Sequence, residues 1–305
     1  MIFKISKNIN FFKTYKKMNF ISLLLIFLSL LILLFKGLNL GVDFKGGTLI
    51  ELRTENSIID IAKIRQSFLN MDLGDVTVKK FGKDNDYLVK IELTDSNNEN
   101  FIQSINDKLS SDLGSEINFR RVENVGPKVS SELLKAGLLA ISLSMAAMLF
   151  YIWVRFEWQF SLGAVIAIIH DVIITIGIFS LLSYEVNLSI VAAVLTIVGY
   201  SMNDTVVIFD RIRENLKKNS KATIEEISNV STNETLSRTL ITSVTTLLAL
   251  FSIFIFGGAI LKGFSFAMII GVIVGTYSSI FVATPILNYT NVTQKTVLKD
   301  SAENN

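Results

Sequence analysis

Asn203 and Asp204 stand side by side in "TIVGYSMNDTVVIFDRIRENL" (196–216), a run that is apolar on either side of them. A carboxylate in such a run is costly unless it is paired or changes its charge, and one that gains and loses a proton can carry it. Arg238 opens another apolar run, "SRTLITSVTTLLALFSIFIF". A guanidinium stays charged, so it favours an ionised carboxylate without giving up a proton of its own. His170 and Asp171 lie inside "FSLGAVIAIIHDVIITIGIFSLL". Asp204, Arg238, Asn203, His170 and Asp171 are therefore the candidate proton pathway, with Ser201, Thr205 and Thr242 as supporting polar side chains. Asn203 and Ser201 are expected to hydrogen-bond the Asp204 carboxylate or to hold a water. For His170 and Asp171 an architectural role, a contact that only ties helices together, stands beside the functional one.

Other chemistry is excluded by what the chain lacks. There is no cysteine, hence no disulfide, thiolate metal site or cysteine nucleophile, and a single histidine rules out a His-rich metal cluster. No phosphate-binding loop, dinucleotide fingerprint or nucleophile–base set is found, and no metal site or cofactor is expected. A net charge of +2 without a basic patch interleaved with aromatics excludes nucleic acid. The expectation is a transport component, not an enzyme. Its work is driven by a partner or an ion gradient, with H⁺ the first choice and Na⁺ left open.

The elements that must position these residues are spans. Half of the 305 residues are hydrophobic and 18% are charged, which makes the lipid bilayer the first solvent to consider. Six runs are long and apolar enough to cross it, at 18–35, 136–154, 160–182, 188–209, 239–257 and 263–287. The first lacks a small-x-small cleavage site and reads as an uncleaved anchor. Lys4, Lys7, Lys13, Lys16 and Lys17 precede it, and Arg211, Arg213, Lys217, Lys218 and Lys221 lie between spans four and five. The positive-inside rule then puts both termini (tails 1–17 and 288–305) in the cytoplasm. Within 136–287, a charged linker helix at 210–230 is expected along the membrane surface or against the span ends.

Residues 37–135 are left outside, about 100 residues and enough for a small core. "GGTLIELRT" reads as a strand, and "SIIDIAKIRQSFLN" as an amphipathic helix opened by a serine cap. "DVTVKKF" and "DYLVKIEL" form a hairpin across "GKDN", followed by a helix in "NNENFIQSINDKLS" and a strand in "SEINFRRVE". The order βαββαβ predicts a small α+β ferredoxin-like domain, with one sheet face under two helices and the other free for a partner. Gly126 and Pro127 then start a helix, with a hinge as the second reading.

Small and polar residues recur at steps of three or four in four spans. They are Gly163, Ala167, His170, Asp171 and Gly177 in span three, and Ala192, Thr196, Gly199 and Asn203 in span four. Arg238, Thr242, Thr245, Ala249 and Ser252 mark span five, and Ala267, Gly271, Gly275 and Ser279 span six. Such stripes are expected to face protein, not lipid. At about 1.5 Å per residue, Asp204 lies roughly 8 Å from the cytoplasmic end of its span and level with Arg238, and His170 and Asp171 roughly 15 Å in.

In "GVDFKGGTLIEL", "VGPKVSSEL", "RFEWQFSLGAVIAIIHDVIITIG", "VGYSMNDTVVIFDRIREN" and "SRTLITSVTTLLALFSIFIFGG" the chain resembles the SecD/SecF family of bacterial protein-translocase subunits, on its SecF side. The resemblance implies a six-helix integral membrane protein, half of a resistance-nodulation-division (RND) type bundle, in the cytoplasmic (inner) membrane. It implies SecD and the SecYEG channel as partners, and unfolded preprotein gripped on the external side. The proton-motive force would assist late export, with the carboxylate of the Asn-Asp pair and the arginine opening span five (here Asp204 and Arg238) functional. Two rivals remain: a proton-coupled exporter of small molecules or lipids, and a scaffold that stabilises the translocase without passing protons.

Overall fold

The computed structural model describes residues 9–55, 58–92, 99–219 and 221–303. The helices used below are α1 (Tyr15–Lys36), α2 (Ile61–Leu69), α3 (Glu99–Leu113), α4 (Pro127–Arg155), α5 (Trp158–Leu181), α6 (Leu188–Lys218), α7 (Ile224–Phe256), α8 (Gly258–Ser278), α9 (Thr284–Tyr289) and α10 (Gln294–Glu303). The strands are β1 (Gly47–Thr54), β2 (Val76–Lys80), β3 (Asp86–Ile91) and β4 (Ile117–Val125). The chain divides into two compact units, one of residues 40–139 and one of residues 1–39 with 140–305.

In the 40–139 unit the strands form one antiparallel sheet in the order β2-β3-β1-β4. Alternation places Ile50 and Leu52 of β1, Val76 and Val78 of β2, and Tyr87, Val89 and Ile91 of β3 on one buried face. Ile64 and Phe68 of α2 and Ile105 and Leu109 of α3 close over it, and each fully buried side chain of this size contributes about 1.5–3 kcal/mol. The serine expected to cap the first helix, Ser57, lies outside the described residues. The cap is Asp60, whose side chain accepts from the Ala62 N–H. Tyr87 reaches between the layers, donating to Ile59 O (2.6 Å) and accepting from Ile59 N (2.9 Å). Arg53 grips Asp86 with Nε to Oδ1 at 2.5 Å and Nη2 to Oδ2 at 2.7 Å. That fork holds the Asp86 carboxyl below the usual carboxylate range. Gly47 starts β1 at φ 122°, and a Cβ there would lie 2.6 Å from Ile91 O, so no other residue fits.

Among the described residues six helices are long and apolar enough to cross a membrane: α1, α4, α5, α6, α7 and the span made of α8 and α9. The most apolar stretches of α5, α6 and the α8–α9 span are 50–56% buried within the chain, against 11–17% for α1, α4 and α7. The first three are thus the centre of the bundle. Close approach makes that possible: a Cβ on Gly271 would collide with the Ile197 side chain, and one on Gly275 would lie 3.0 Å from Ser201 Cβ. Phe156, Phe160 and Phe209 stack and cross at 5.1–6.2 Å at one end of the bundle, and Phe179, Ile190, Ile197 and Met268 fill the other.

One expectation is corrected here. The 210–230 segment is not a separate helix. It is the continuation of α6 to Lys218 and the start of α7 at Ile224, which Thr223 and Glu226 open with a capping box. The two extensions are zipped together by Arg211 Nε to Glu234 Oε2 (2.6 Å) and by Asn215 to Ser231 Oγ (2.9 Å) and Glu234 Oε2 (2.8 Å). Polar sequence alone suggested a surface helix, but these pairs let each span run on past the apolar run. Beyond the last span, α10 buries Val297 against the bundle, with Gln294 Nε2 bonded to Lys217 O (3.1 Å).

Candidate functional site

Asp171 is the centre of the buried polar set. It sits on α5 with no exposure, and His170 beside it is 1% exposed. His170 Nδ1 lies 2.8 Å from Asp171 Oδ1. The other carboxylate oxygen accepts two hydroxyls from other helices, Ser201 Oγ of α6 at 2.5 Å and Ser278 Oγ of α8 at 2.8 Å. Three helices therefore meet on one carboxylate. Thr175 Oγ1 donates to the Asp171 carbonyl (2.8 Å) and Thr205 Oγ1 to the Ser201 carbonyl (3.2 Å), spending their protons on their own helices. The His170 ring stacks on Tyr277 at 6.1 Å, and Tyr277 OH donates to Met18 O (2.8 Å) and lies 2.9 Å from Ser22 Oγ. His170 Nε2 is buried without a protein partner.

Asp204 is one helical turn beyond Ser201 on α6. It is 3% exposed, and its Oδ2 has no hydrogen-bond partner. Arg238 on α7 is exposed and closes no ion pair with Asp204 among the described residues; its charge is felt there only through space. The bonds expected from Ser201 and Asn203 to Asp204 are not made. Ser201 is committed to Asp171, and Asn203 points outward. The reason is rotation about the α6 axis: residues 201, 204 and 205 face the bundle, and 203 falls on the opposite side. Thr242 Oγ1 bonds the Arg238 carbonyl at 2.7 Å.

The four stripes divide in the same way. Those of spans three and six are buried, with Gly163, Ala167 and Gly177 on α5 and Ala267, Gly271, Gly275 and Ser279 opposite them. Those of spans four and five are not covered. Ala192, Thr196, Gly199 and Asn203 are exposed, as are Arg238, Thr245, Ala249 and Ser252, and a Cβ on Gly199 would meet nothing within 4 Å. Within this chain two of the four stripes are covered.

Gly126 and Pro127 are the residue before α4 and its first residue, and Ser130 N bonds Gly126 O at 3.0 Å, an ordinary helix start. Ser278 and Tyr277 were missed in the sequence. Their signal is the unbroken polar group "GTYSS" (275–279) within an apolar run.

Comparison with known proteins decides the family. The model for the protein export membrane protein SecD/SecF C-terminal region matches residues 105–293, and that for the SecD/SecF GG motif matches residues 31–58. The chain is 45% identical to the protein translocase subunit SecF of Calditerrivibrio nitroreducens over 287 residues, covering 93% of this chain and 94% of that one. The chain belongs to the SecF family. The SecF of Cereibacter sphaeroides is 44% identical over 304 residues, covering 96% of this chain and 93% of that one. Among solved structures, SecDF of Thermus thermophilus, a translocon-associated membrane protein, matches at 32% identity with a TM-score of 0.86, over 96% of this chain and 40% of that one. SecDF in a super-membrane-facing form matches at 31% identity with a TM-score of 0.68, over 99% and 41%. This SecF-family chain thus spans about 40% of the length of the solved relatives it matches. Membership makes it a multi-pass membrane subunit of the protein translocase with a part in protein export, a transport component. The Gly46-Gly47 pair falls in the region matched by the GG motif, where Gly47 lies against the Ile91 carbonyl.

Proposed function

We propose that this chain, paired in the cytoplasmic membrane with a SecD subunit, uses the proton-motive force to help draw preproteins through the SecYEG channel. The carrying observation is Arg238, an exposed cation on the uncovered stripe of α7, acting through space on Asp204, which is buried with an unpartnered oxygen, while the α6 stripe through Asn203 is uncovered too. Lipid tails cannot satisfy an arginine or an asparagine, so a second membrane subunit supplies the missing wall. The length of the SecDF relatives beyond this chain supports SecD as that subunit. Protons enter at this seam. Arg238 favours the ionised Asp204, a proton neutralises it, and the packing of α6 and α7 responds. Each charge crossing 100 mV supplies about 2.3 kcal/mol, so a few protons are enough to drive a domain movement.

The 40–139 unit is read as a ferredoxin-like domain on the external side, gripping unfolded preprotein, and the Gly126–Pro127 start of α4 as the route by which motion reaches it. Both termini are cytoplasmic by the lysine and arginine distribution. The coupling ion is H⁺; equal activity in a Na⁺ gradient at fixed pH would replace it. The test is chain release from proteoliposomes holding the full translocase, with and without a gradient. Asp204→Asn is expected to remove gradient-dependent release, a loss of at least tenfold, while the protein folds and assembles. Wild-type release from that variant would leave only a scaffold.

A further inference from the structure

Ser278 has one proton and two acceptors. Its Oγ lies 2.8 Å from Asp171 Oδ2 and 3.1 Å from the Gly275 carbonyl of its own helix. It is also the last residue of α8, directly before a wide π-type turn at Ser279–Ala283. Such turns accommodate one residue more than an α-helical turn and recur at functional sites. Thr284 Oγ1 donates to the Ser279 carbonyl at 2.7 Å. Pro285, the next residue, has no N–H to give to the preceding turn, so an unbroken α-helical ladder cannot form there. Across from it, a Cβ on Gly163 of α5 would lie 2.8 Å from the Ala283 carbonyl, so the turn rests on bare backbone. Ile280, Val282 and Ala283 pack among the apolar residues of α5, and the bond from Ser278 to Asp171 is the polar tie that fixes the start of the turn.

We propose that Ser278 is a positioning residue that ties the charge state of Asp171 to the register of the wide turn in span six. With Asp171 ionised, Ser278 gives its proton to the carboxylate and the turn stays at 279–283. With a proton on the carboxyl, that oxygen becomes a weaker acceptor. Ser278 then returns its proton to the Gly275 carbonyl, and the turn is released to migrate along the span. The groups around Asp171 are few. His170 adjoins it on α5, Tyr277 comes from α8 through the His170 ring, and Asp204 lies one turn past Ser201 on α6. Arg238 lies on α7, beside Asp204; α1 has no ionisable side chain between Lys17 and Lys36, and α9 has only Tyr289. The inference rests on the proton-carrying reading above, with the inner carboxylate and not the seam as the point that moves a helix.

The test is amide hydrogen exchange over residues 275–288 in the full chain with its partner subunits in lipid nanodiscs. Asp171→Asn, a fixed neutral form, is expected to speed exchange at 279–284 at least threefold. Ser278→Ala should do the same, the double variant should add nothing, and Ser278→Thr should restore the wild-type rate. After correction for intrinsic exchange, the pH dependence of this segment should vanish in Asp171→Asn. Wild-type rates in both single variants, or effects that add, overturn the proposal. If Ser278→Ala does not fold, Thr284→Val frees the turn from its other side and must no longer respond to Asp171→Asn; a retained response overturns it equally. This readout needs no gradient, so failure of the gradient reading appears only in the release assay with Asp204→Asn.

Discussion

The two acidic sites of the membrane unit, Asp171 of α5 bonded to Ser201 and Asp204 one turn past Ser201 on α6, are built on opposite plans. Around Asp171 both carboxylate oxygens have partners, from α5, α6 and α8, and every helix needed is present in this chain. Around Asp204 an oxygen is unpartnered, the nearest cation is exposed, and the neighbouring stripes are bare. The first is a finished joint. The second is open on one side within this chain.

Small residues break that contrast most sharply. Gly271→Leu drives a branched side chain into Ile197, where close helix approach has no slack, and is expected to leave little folded protein by size-exclusion recovery. Gly199→Leu has open space around it and should leave the isolated chain folded, yet lower co-purification with the partner subunit at least fivefold. Equal recovery of the two variants would erase the distinction between a closed and an open face.

The carboxylates give a smaller difference. Asp171→Ala strands His170, Ser201 and Ser278 and should cost about 3 kcal/mol of stability, read as thermal unfolding of the detergent-solubilised chain. Asp204→Ala removes a group whose Oδ2 makes no hydrogen bond and should change the same measurement by no more than about 0.5 kcal/mol. A larger loss at 204 than at 171 would invert the comparison.

The smallest effect lies in the 40–139 unit, whose Arg53–Asp86 pair is a finished joint of the ordinary kind. Because the folded carboxyl titrates below its unfolded value of about 3.9, its contribution is complete above that pH and is lost as pH falls through the lower folded value. Exchange protection of β1 and β3 should therefore fall between pH 5 and 2.5 in wild type and stay flatter in Asp86→Asn. Parallel curves would show that the pair is without effect on folding.

Much of this was legible in the chain. "GGTLIELRT" and "DYLVKIEL" read as strands, strands run over Gly47–Thr54 and Asp86–Ile91, and the βαββαβ order is the order found. Helix ends were misjudged where polar side chains pair across helices: Asn215, Glu234 and Arg211 carry α6 and α7 past the apolar run, a partnership invisible in either segment alone. Asp60 rather than a serine caps α2 because the side chain that reaches the free N–H groups is decided by a residue or two of chain geometry.

The sequence by itself determined which segments are long and apolar enough to cross a membrane, because hydropathy and rise per residue are local properties. Only the tertiary structure decided the partners. Ser201 turns to Asp171 and not to Asp204, Ser278 joins it, and Asn203 and Arg238 are left facing outward. Those choices depend on the rotation of each helix about its axis, and the rotations are set where Gly271 and Gly275 let α8 close onto Ile197 and Ser201. A shift of one residue in that contact would give every hydroxyl a different neighbour.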